Sequence, residues 1–76
     1  MKELIEFIAK KLVEKPDEVD VQVVENDDEQ VYELRVNQSD MGRIIGRSGR
    51  TAKAIRTIVN SAAIKKNVRA NLEIVE

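Results

Sequence analysis

Apolar side chains at the start of the chain recur at the spacing of an α-helix. They share one face, and charged residues fill the other: the apolar set is Leu4, Ile5, Ile8 and Leu12. This pattern predicts an amphipathic helix over Lys2–Glu14. Pro16 fixes its own φ and lacks an amide proton, so the helix is expected to end before it.

The next segment alternates apolar and polar residues with the period of a β-strand. Val19, Val21 and Val23 carry the first alternation, and Tyr32, Leu34 and Val36 carry a second. The polar residues 26–29 lie between the two and favour a turn. Two such strands joined by a short turn predict an antiparallel hairpin.

Two helices and a strand are predicted in the second half of the chain. Ser39 or Asp40 is a candidate N-cap for a short helix over residues 41–45, with Met41, Ile44 and Ile45 turned inward. The segment 46–49 interrupts it, and helical periodicity resumes at Arg50. The apolar stripe of this longer helix is predicted to be Ile55, Ile58, Val59 and Ala62. Residues 65–67 end it, and the alternation of Val68, Ala70, Leu72 and Ile74 predicts a final strand.

The predicted order α-β-β-α-α-β corresponds to an α+β fold, which we expect to occupy residues 1–76 as one domain. A two-layer arrangement places three helices on one face of a three-stranded sheet. The other face is then polar, and its predicted members are Asp20, Gln22, Glu33, Arg35, Asn71 and Glu73.

The composition excludes several kinds of covalent, metal-binding and catalytic chemistry. The 76 residues include no Cys and no His, which excludes disulfides, thiolate metal sites and imidazole catalysis. No apolar run approaches the length of about 20 residues that a membrane span needs, and no signal peptide is recognisable. We therefore expect a cytoplasmic, non-enzymatic protein without a cofactor.

Charge is distributed unevenly along the chain. Residues 1–40 contain 5 Lys/Arg and 12 Asp/Glu, a net charge of −7, whereas residues 41–76 contain 8 Lys/Arg and 2 Asp/Glu, a net charge of +6. The basic half suggests a polyanionic partner such as nucleic acid. The alternative is a dipolar domain whose two halves neutralise each other in space.

The most informative segment is Gly46-Arg47-Ser48-Gly49, between the two helices of the basic half. Glycine permits positive φ and close approach by another backbone. The amides that open the following helix favour phosphate, and Arg47, Arg50 and Lys53 add positive charge. A tight turn without any ligand is the alternative interpretation.

The sequence from Ile44 to Ile55 (IIGRSGRTAKAI) resembles the signature of KH domains, namely an apolar pair, G-x-x-G and a lysine in the next helix. The element order is similar to the type II arrangement, and the resemblance spans the chain. Within KH domains it is most similar to the bacterial KhpA family.

The resemblance implies a function in single-stranded RNA binding, with the G-x-x-G loop clamping the backbone of about four nucleotides. The residues expected to bind RNA are Gly46, Arg47, Ser48, Gly49, Arg50, Lys53, Ile45, Ala52 and Arg43. Ile44 and Ile55 would build or flank the groove, although they and Ile58 also suit the core. Ala52 stands where many KH domains have Ile or Leu, which predicts a shallower groove floor. We expect replacement of Gly46 and Gly49 by Asp to abolish RNA binding and leave the fold intact.

The resemblance also implies pairing, either with a second copy or with a KhpB-like KH protein, and roles as an RNA chaperone in cell elongation and cell-wall synthesis. Small residues on the outer side of the long helix suit a partner helix: Ala54, Thr57, Asn60, Ser61 and Ala62. A protein-interaction module without RNA binding is the alternative function. The cations Lys65, Lys66 and Arg69 fit either phosphate contact or a solvated loop, and the acidic turn at residues 26–29 lacks the glycine of a calcium loop.

Overall fold

A computed structural model describes residues 1–75, and it contains the six predicted elements in the predicted order. The helices are α1 (Lys2–Leu12), α2 (Met41–Ile45) and α3 (Arg50–Lys65), and the strands are β1 (Asp20–Glu25), β2 (Gln30–Arg35) and β3 (Ala70–Ile74). Single 3-10 turns at Pro16–Glu18, Gln38–Asp40 and Arg47–Gly49 occupy the connections. The α+β prediction is confirmed.

Helix α1 ends two residues earlier than its apolar pattern predicts. The amide of Val13 still donates to the carbonyl of Ala9, at 3.2 Å, but Val13 itself is extended. Pro16 does not merely stop the helix, because it starts the 3-10 turn that leads into β1. A proline suits the first position of such a turn, where its missing amide proton is not needed.

The three strands form one mixed sheet in the order β1-β2-β3. β1 and β2 pair as the predicted antiparallel hairpin, with Val21 opposite Leu34. β3 pairs parallel to β2, with Leu72 beside Tyr32. A parallel neighbour requires a crossover connection, and α2 and α3 supply it. The loop between these two helices lies within the crossover.

The core lies between the helices and one face of the sheet. Its fully buried side chains include Ile5, Val21, Leu34, Ile44 and Val59. The polar residues predicted for the other sheet face are exposed, apart from Glu33, which is half-buried. Among residues 1–75, no helix has the length and apolar character to cross a membrane.

The buried stripe of α3 differs from the prediction. Ile58 is 42% exposed and Ala62 is only partly buried, so their assignment to the stripe is wrong. The residues that do face the core are Ala52, Ile55, Val59 and Ala63. Two of these four residues are alanines, whereas a pattern based on large apolar residues shifts the predicted stripe toward Ile58.

Candidate nucleic-acid interface

The loop between α2 and α3 has a backbone that depends on its first glycine. Gly46 has φ 76° and ψ 174°, a region that is open almost only to glycine. A Cβ built on Gly46 would lie 2.2 Å from Oγ1 and 2.9 Å from the backbone nitrogen of Thr51. Gly46 is therefore needed by the fold, because the first turn of α3 packs directly against it.

Gly49 has a different role. Its φ is 74°, but a Cβ built there would have no atom within 4 Å. Ser48 beside it also has positive φ, at 56°, and is exposed. The amide of Gly49 donates to the carbonyl of Gly46 at 3.2 Å, which closes the turn. The space over Gly49 is thus open, and a ligand backbone can approach it closely.

Helix α3 begins directly at this open turn. Gly49 is its N-cap residue, and no side chain caps the helix. The first amides of a helix have no intrahelical acceptor, and the helix dipole makes this end positive. The amide of Arg50 already donates to the carbonyl of Arg47, so the arrangement presents the remaining first-turn amides and partial positive charge beside the open face of Gly49.

Three cations around the loop are exposed and have no carboxylate close to them. Arg47, Arg50 and Lys53 all face solvent. Within the part of the chain that the structure describes, none of the three has a salt bridge at 4.0 Å or less. Their charge therefore remains available to a polyanion, which favours the polyanion interpretation of the charge asymmetry at this end of the molecule.

Arg43, the fourth candidate cation, is held differently. Its guanidinium forms an ion pair with Glu14, and its Nε lies 3.4 Å from Oδ1 of Asp40. The Arg43 side chain is half-exposed, so a ligand can reach it, but two carboxylates already offset its charge.

Asp40 is the buried charged residue of this region, at 1% exposure. Its two carboxylate oxygens accept from the backbone amides of Glu14 and Lys15, each at 3.1 Å. Asp40 occupies the N-cap position of α2, as predicted, but its side chain makes no capping hydrogen bond to that helix. Asn37 instead caps the preceding 3-10 turn, by accepting from the amide of Ser39. Asp40 thus ties the end of α1 to the start of α2, which positions the loop that follows.

The apolar candidates separate into buried and accessible positions. Ile44 and Ile55 are buried, at 0% and 2% exposure, as the core interpretation predicted. Ala52 is 4% exposed, so it presents almost no surface to a ligand. Ile45 is partly exposed and is the apolar candidate that a ligand can touch.

At the opposite end of α3, one cation lies beside the acidic turn. Arg69 lines a surface cavity together with the acidic turn, and its carbonyl accepts from the amide of Gln30 at 2.9 Å. At about 1.5 Å per residue, the 16-residue α3 separates this end from the glycine loop by about 24 Å. Among residues 1–75, no cluster of three or more acidic side chains is placed to hold a metal ion.

The arrangement defines a class of protein. A βααβ unit with a glycine loop between its helices, preceded by an additional helix and strand, is the type II KH fold. Residues 2–74 match the family model of the KhpA/KhpB KH domain. The chain belongs to this family.

Similar proteins come from several bacteria. The chain is 55% identical over 74 residues to the "RNA-binding protein KhpA" of Borreliella burgdorferi, which covers 97% of this chain and 90% of that one. It is 52% identical to the protein of the same name in Clostridium perfringens, over 99% of this chain and 100% of the relative. The Chlamydia trachomatis protein is 49% identical, with 100% and 97% covered. No solved structure matches the chain.

Sequence reasoning missed the contacts that hold the site in place. The packing of Thr51 against Gly46 and the bonds from Asp40 to α1 join residues that no local pattern connects. No role was predicted for Arg56, whose Nε donates to the carbonyl of Leu72 at 3.3 Å. Its position, three residues after Lys53 in α3, was the available signal that it shares a side of the helix with that lysine.

Proposed function

We propose that this protein is a single-stranded RNA-binding module that holds the RNA backbone with the loop from Gly46 to Gly49. The observation that carries the proposal is the open face of Gly49, beside the uncapped start of α3. A phosphodiester backbone needs both close approach and donors, and this turn supplies them together. The relatives named as RNA-binding proteins support the same function.

The residues around the loop divide the work of binding. Backbone amides at the start of α3 and the hydroxyl of Ser48 donate to phosphate oxygens, while Arg47, Arg50 and Lys53 neutralise phosphate charge. Ile45 offers apolar contact to a base. Only one Phe and one Tyr are present in the chain, so aromatic stacking contributes little and the bases are held mainly by edges and apolar surface.

A salt titration with an unstructured RNA oligonucleotide tests this mechanism. Three phosphate contacts predict a slope of about −2 in a plot of log affinity against log salt concentration. An affinity that does not change with salt contradicts the proposal, because the loop then does not bind through phosphate.

Gly49→Asp is the matching variant, because the structure leaves room for its side chain. We expect the affinity for RNA to fall by at least about tenfold, since a carboxylate replaces a charge-assisted contact. The control is Gln22→Glu, which adds the same charge on the exposed face of β1. If the two variants bind RNA equally well, the loop is not the clamp.

Pairing is the second part of the proposed function. The outer side of α3 exposes Ile58 at 42% and Ile64 at 77%, next to the small residues predicted to suit a partner helix. This surface supports a homodimer or a heterodimer with a KhpB-type KH protein, and two linked sites raise the effective affinity for RNA. Sedimentation equilibrium of Ile64→Lys should show loss of the dimer, and a wild-type monomer at high concentration contradicts pairing with a second copy.

The cellular role that fits such a module is RNA chaperone activity in the cytoplasm, with effects on cell elongation and the cell wall. Deletion of the gene should then change cell length, and Gly49→Asp should fail to restore it. The alternative, a dimerisation module without RNA binding, is favoured by the exposed Ile64. Restoration of cell length by Gly49→Asp, together with failure of Ile64→Lys, would support that alternative.

A further inference from the structure

The outer edge of β3 carries a further candidate site. β3 is an edge strand, and its inward backbone groups pair with β2: the carbonyl of Arg69 accepts from Gln30, and the amide of Val75 donates to Leu34, both at 2.9 Å. Backbone groups in a strand alternate in direction along the chain. Leu72 is an odd number of residues away from both Arg69 and Val75, so its amide and carbonyl point away from β2.

Side chains of the protein occupy both of these outward groups. Nε of Arg56 donates to the carbonyl of Leu72 at 3.3 Å, and the amide of Leu72 donates to Oδ1 of Asn71 at 2.9 Å. We call Arg56, Asn71 and the backbone of Leu72 the Leu72 edge cluster. Such a cluster blocks strand addition at the edge, but it also changes the chemistry that the edge presents.

The free groups of the Leu72 edge cluster are mainly donors. The carbonyl of Leu72 and Oδ1 of Asn71 each already accept one hydrogen bond, whereas the two terminal nitrogens of Arg56 and Nδ2 of Asn71 make none. Across residues 1–75 these three nitrogens have no protein acceptor within hydrogen-bond distance. Both side chains are exposed to solvent.

The cluster lies on the same side of α3 as the glycine loop. Arg56 follows Gly49 by seven residues, which is almost two full turns and about 10 Å along the helix axis. Lys53 lies between them. Beyond Arg56, Asn60 and Ala63 line a separate surface cavity of about 350 Å³ together with Glu29, Ile64 and Arg69, and the cluster does not extend into it. A segment of about four nucleotides that is held at the loop is long enough to reach Arg56.

We propose that the Leu72 edge cluster reads a base and selects guanine over adenine, an inference that rests on the proposed RNA-binding function. The exposed edge of guanine carries two acceptors, O6 and N7, which match the paired nitrogens of an arginine. Adenine replaces O6 with an amino group, which meets donors in the cluster and leaves them unpaired. The edge is accessible in a single strand because no pairing or groove hides it.

The experiment compares the affinities of the full-length protein for two uridine-rich oligonucleotides that differ at one central position, guanine against adenine. The wild type should prefer the guanine oligonucleotide by about fivefold or more. Arg56→Lys keeps the charge but loses the paired donors, so the preference should disappear with little loss of affinity for the adenine oligonucleotide. Asn71→Asp keeps an acceptor for Leu72 and removes the free donor, so it should lower the preference as well.

Arg50→Gln is the matched control, because Arg50 is an exposed loop cation outside the cluster. It should lower the affinity for both oligonucleotides by the same factor and leave the ratio of the two affinities unchanged. Equal wild-type affinities, or a ratio that Arg56→Lys leaves unchanged, overturn the inference even if RNA binding is strong. If Arg50→Gln abolishes the preference for guanine as Arg56→Lys does, the inference is also overturned, because the loop and not the cluster then selects the base. Absence of binding to both oligonucleotides contradicts the proposed function itself.

Discussion

Alanine substitutions at the two loop glycines should have unequal effects on stability. Both residues have positive φ, 76° at Gly46 and 74° at Gly49, but only Gly46 has a neighbour in the way. At Gly49, alanine meets open space and costs only the backbone strain of the left-handed region, about 1–2 kcal/mol. The same substitution at Gly46 combines a less accessible backbone region with a steric overlap.

The cost at Gly46 follows from the two contributions. Its backbone region costs about 1–3 kcal/mol for a residue with a Cβ. The new methyl group would also lie 2.2 Å from Oγ1, 2.7 Å from Cβ and 2.9 Å from the backbone nitrogen of Thr51, and overpacking of this kind costs about 1–3 kcal/mol. The sum, about 2–6 kcal/mol, is a large part of the roughly 4–11 kcal/mol expected for a domain of this size.

Thermal unfolding followed by circular dichroism measures the difference. Each kcal/mol lowers Tm by about 4–8 °C in a domain of this length, so Gly46→Ala should unfold well below Gly49→Ala. In a Thr51→Ala background the cost of Gly46→Ala should fall but not vanish, because the contacts with Cβ and the backbone nitrogen persist. A Tm for Gly49→Ala equal to or below that of Gly46→Ala would refute this reasoning. The same geometry corrects the expectation that aspartate at both glycines leaves the fold intact.

Three further variants or titrations test other parts of the structure. Asp40→Ala removes the acceptors of two backbone amides and should cost about 1–3 kcal/mol, seen as a lower Tm, with a smaller loss in Asp40→Asn. Glu14→Gln removes one of the two carboxylates that offset Arg43 and should steepen the salt slope of RNA binding by at most about 0.7, and an unchanged slope would show that Arg43 stays away from phosphate. Burial first, and then the charges of Glu25 and Glu3, raise the pKa of Tyr32. The phenolate absorbance of this single tyrosine should therefore appear above the ordinary value of about 10. The stability that the neutral phenol of Tyr32 contributes is fully present below a pH of about 10 and is lost as the pH rises through the raised pKa.

The elements of the fold follow from periodicity because each has a clear apolar face. Alternation over residues 19–23 and 32–36 predicted the hairpin, and the structure pairs β1 with β2 as expected. The parallel pairing of β3 with β2 was not predicted, since strand direction depends on the path of α2 and α3 and not on the strand's own residues.

Two errors have physical causes that the sequence does not display. Ile58 was assigned to the core because it is large and apolar, but the buried face of α3 includes the small Ala52 and Ala63, and Ile58 lies outside that face. Asp40 was expected to form a capping hydrogen bond because aspartate before a helix usually does. Its actual partners, the amides of Glu14 and Lys15, lie 26 and 25 residues away along the chain.

The candidate site was predictable in its composition but not in its geometry. The glycine spacing and the surrounding cations placed the loop correctly between two helices. The unequal roles of Gly46 and Gly49 depend on where Thr51 packs. Likewise, the charge of Arg43 is offset by Glu14 from a distant helix, which no local reading of the basic segment shows.

Backbone amide chemical shifts, followed by NMR while an unstructured RNA oligonucleotide is added, test contact between the glycine loop and RNA most directly. The amides from Arg47 to Thr51 should move most and earliest, and those of the acidic turn at residues 27–29 should stay in place. Largest shifts in the acidic turn or in α1, with the loop amides unchanged, would contradict the account.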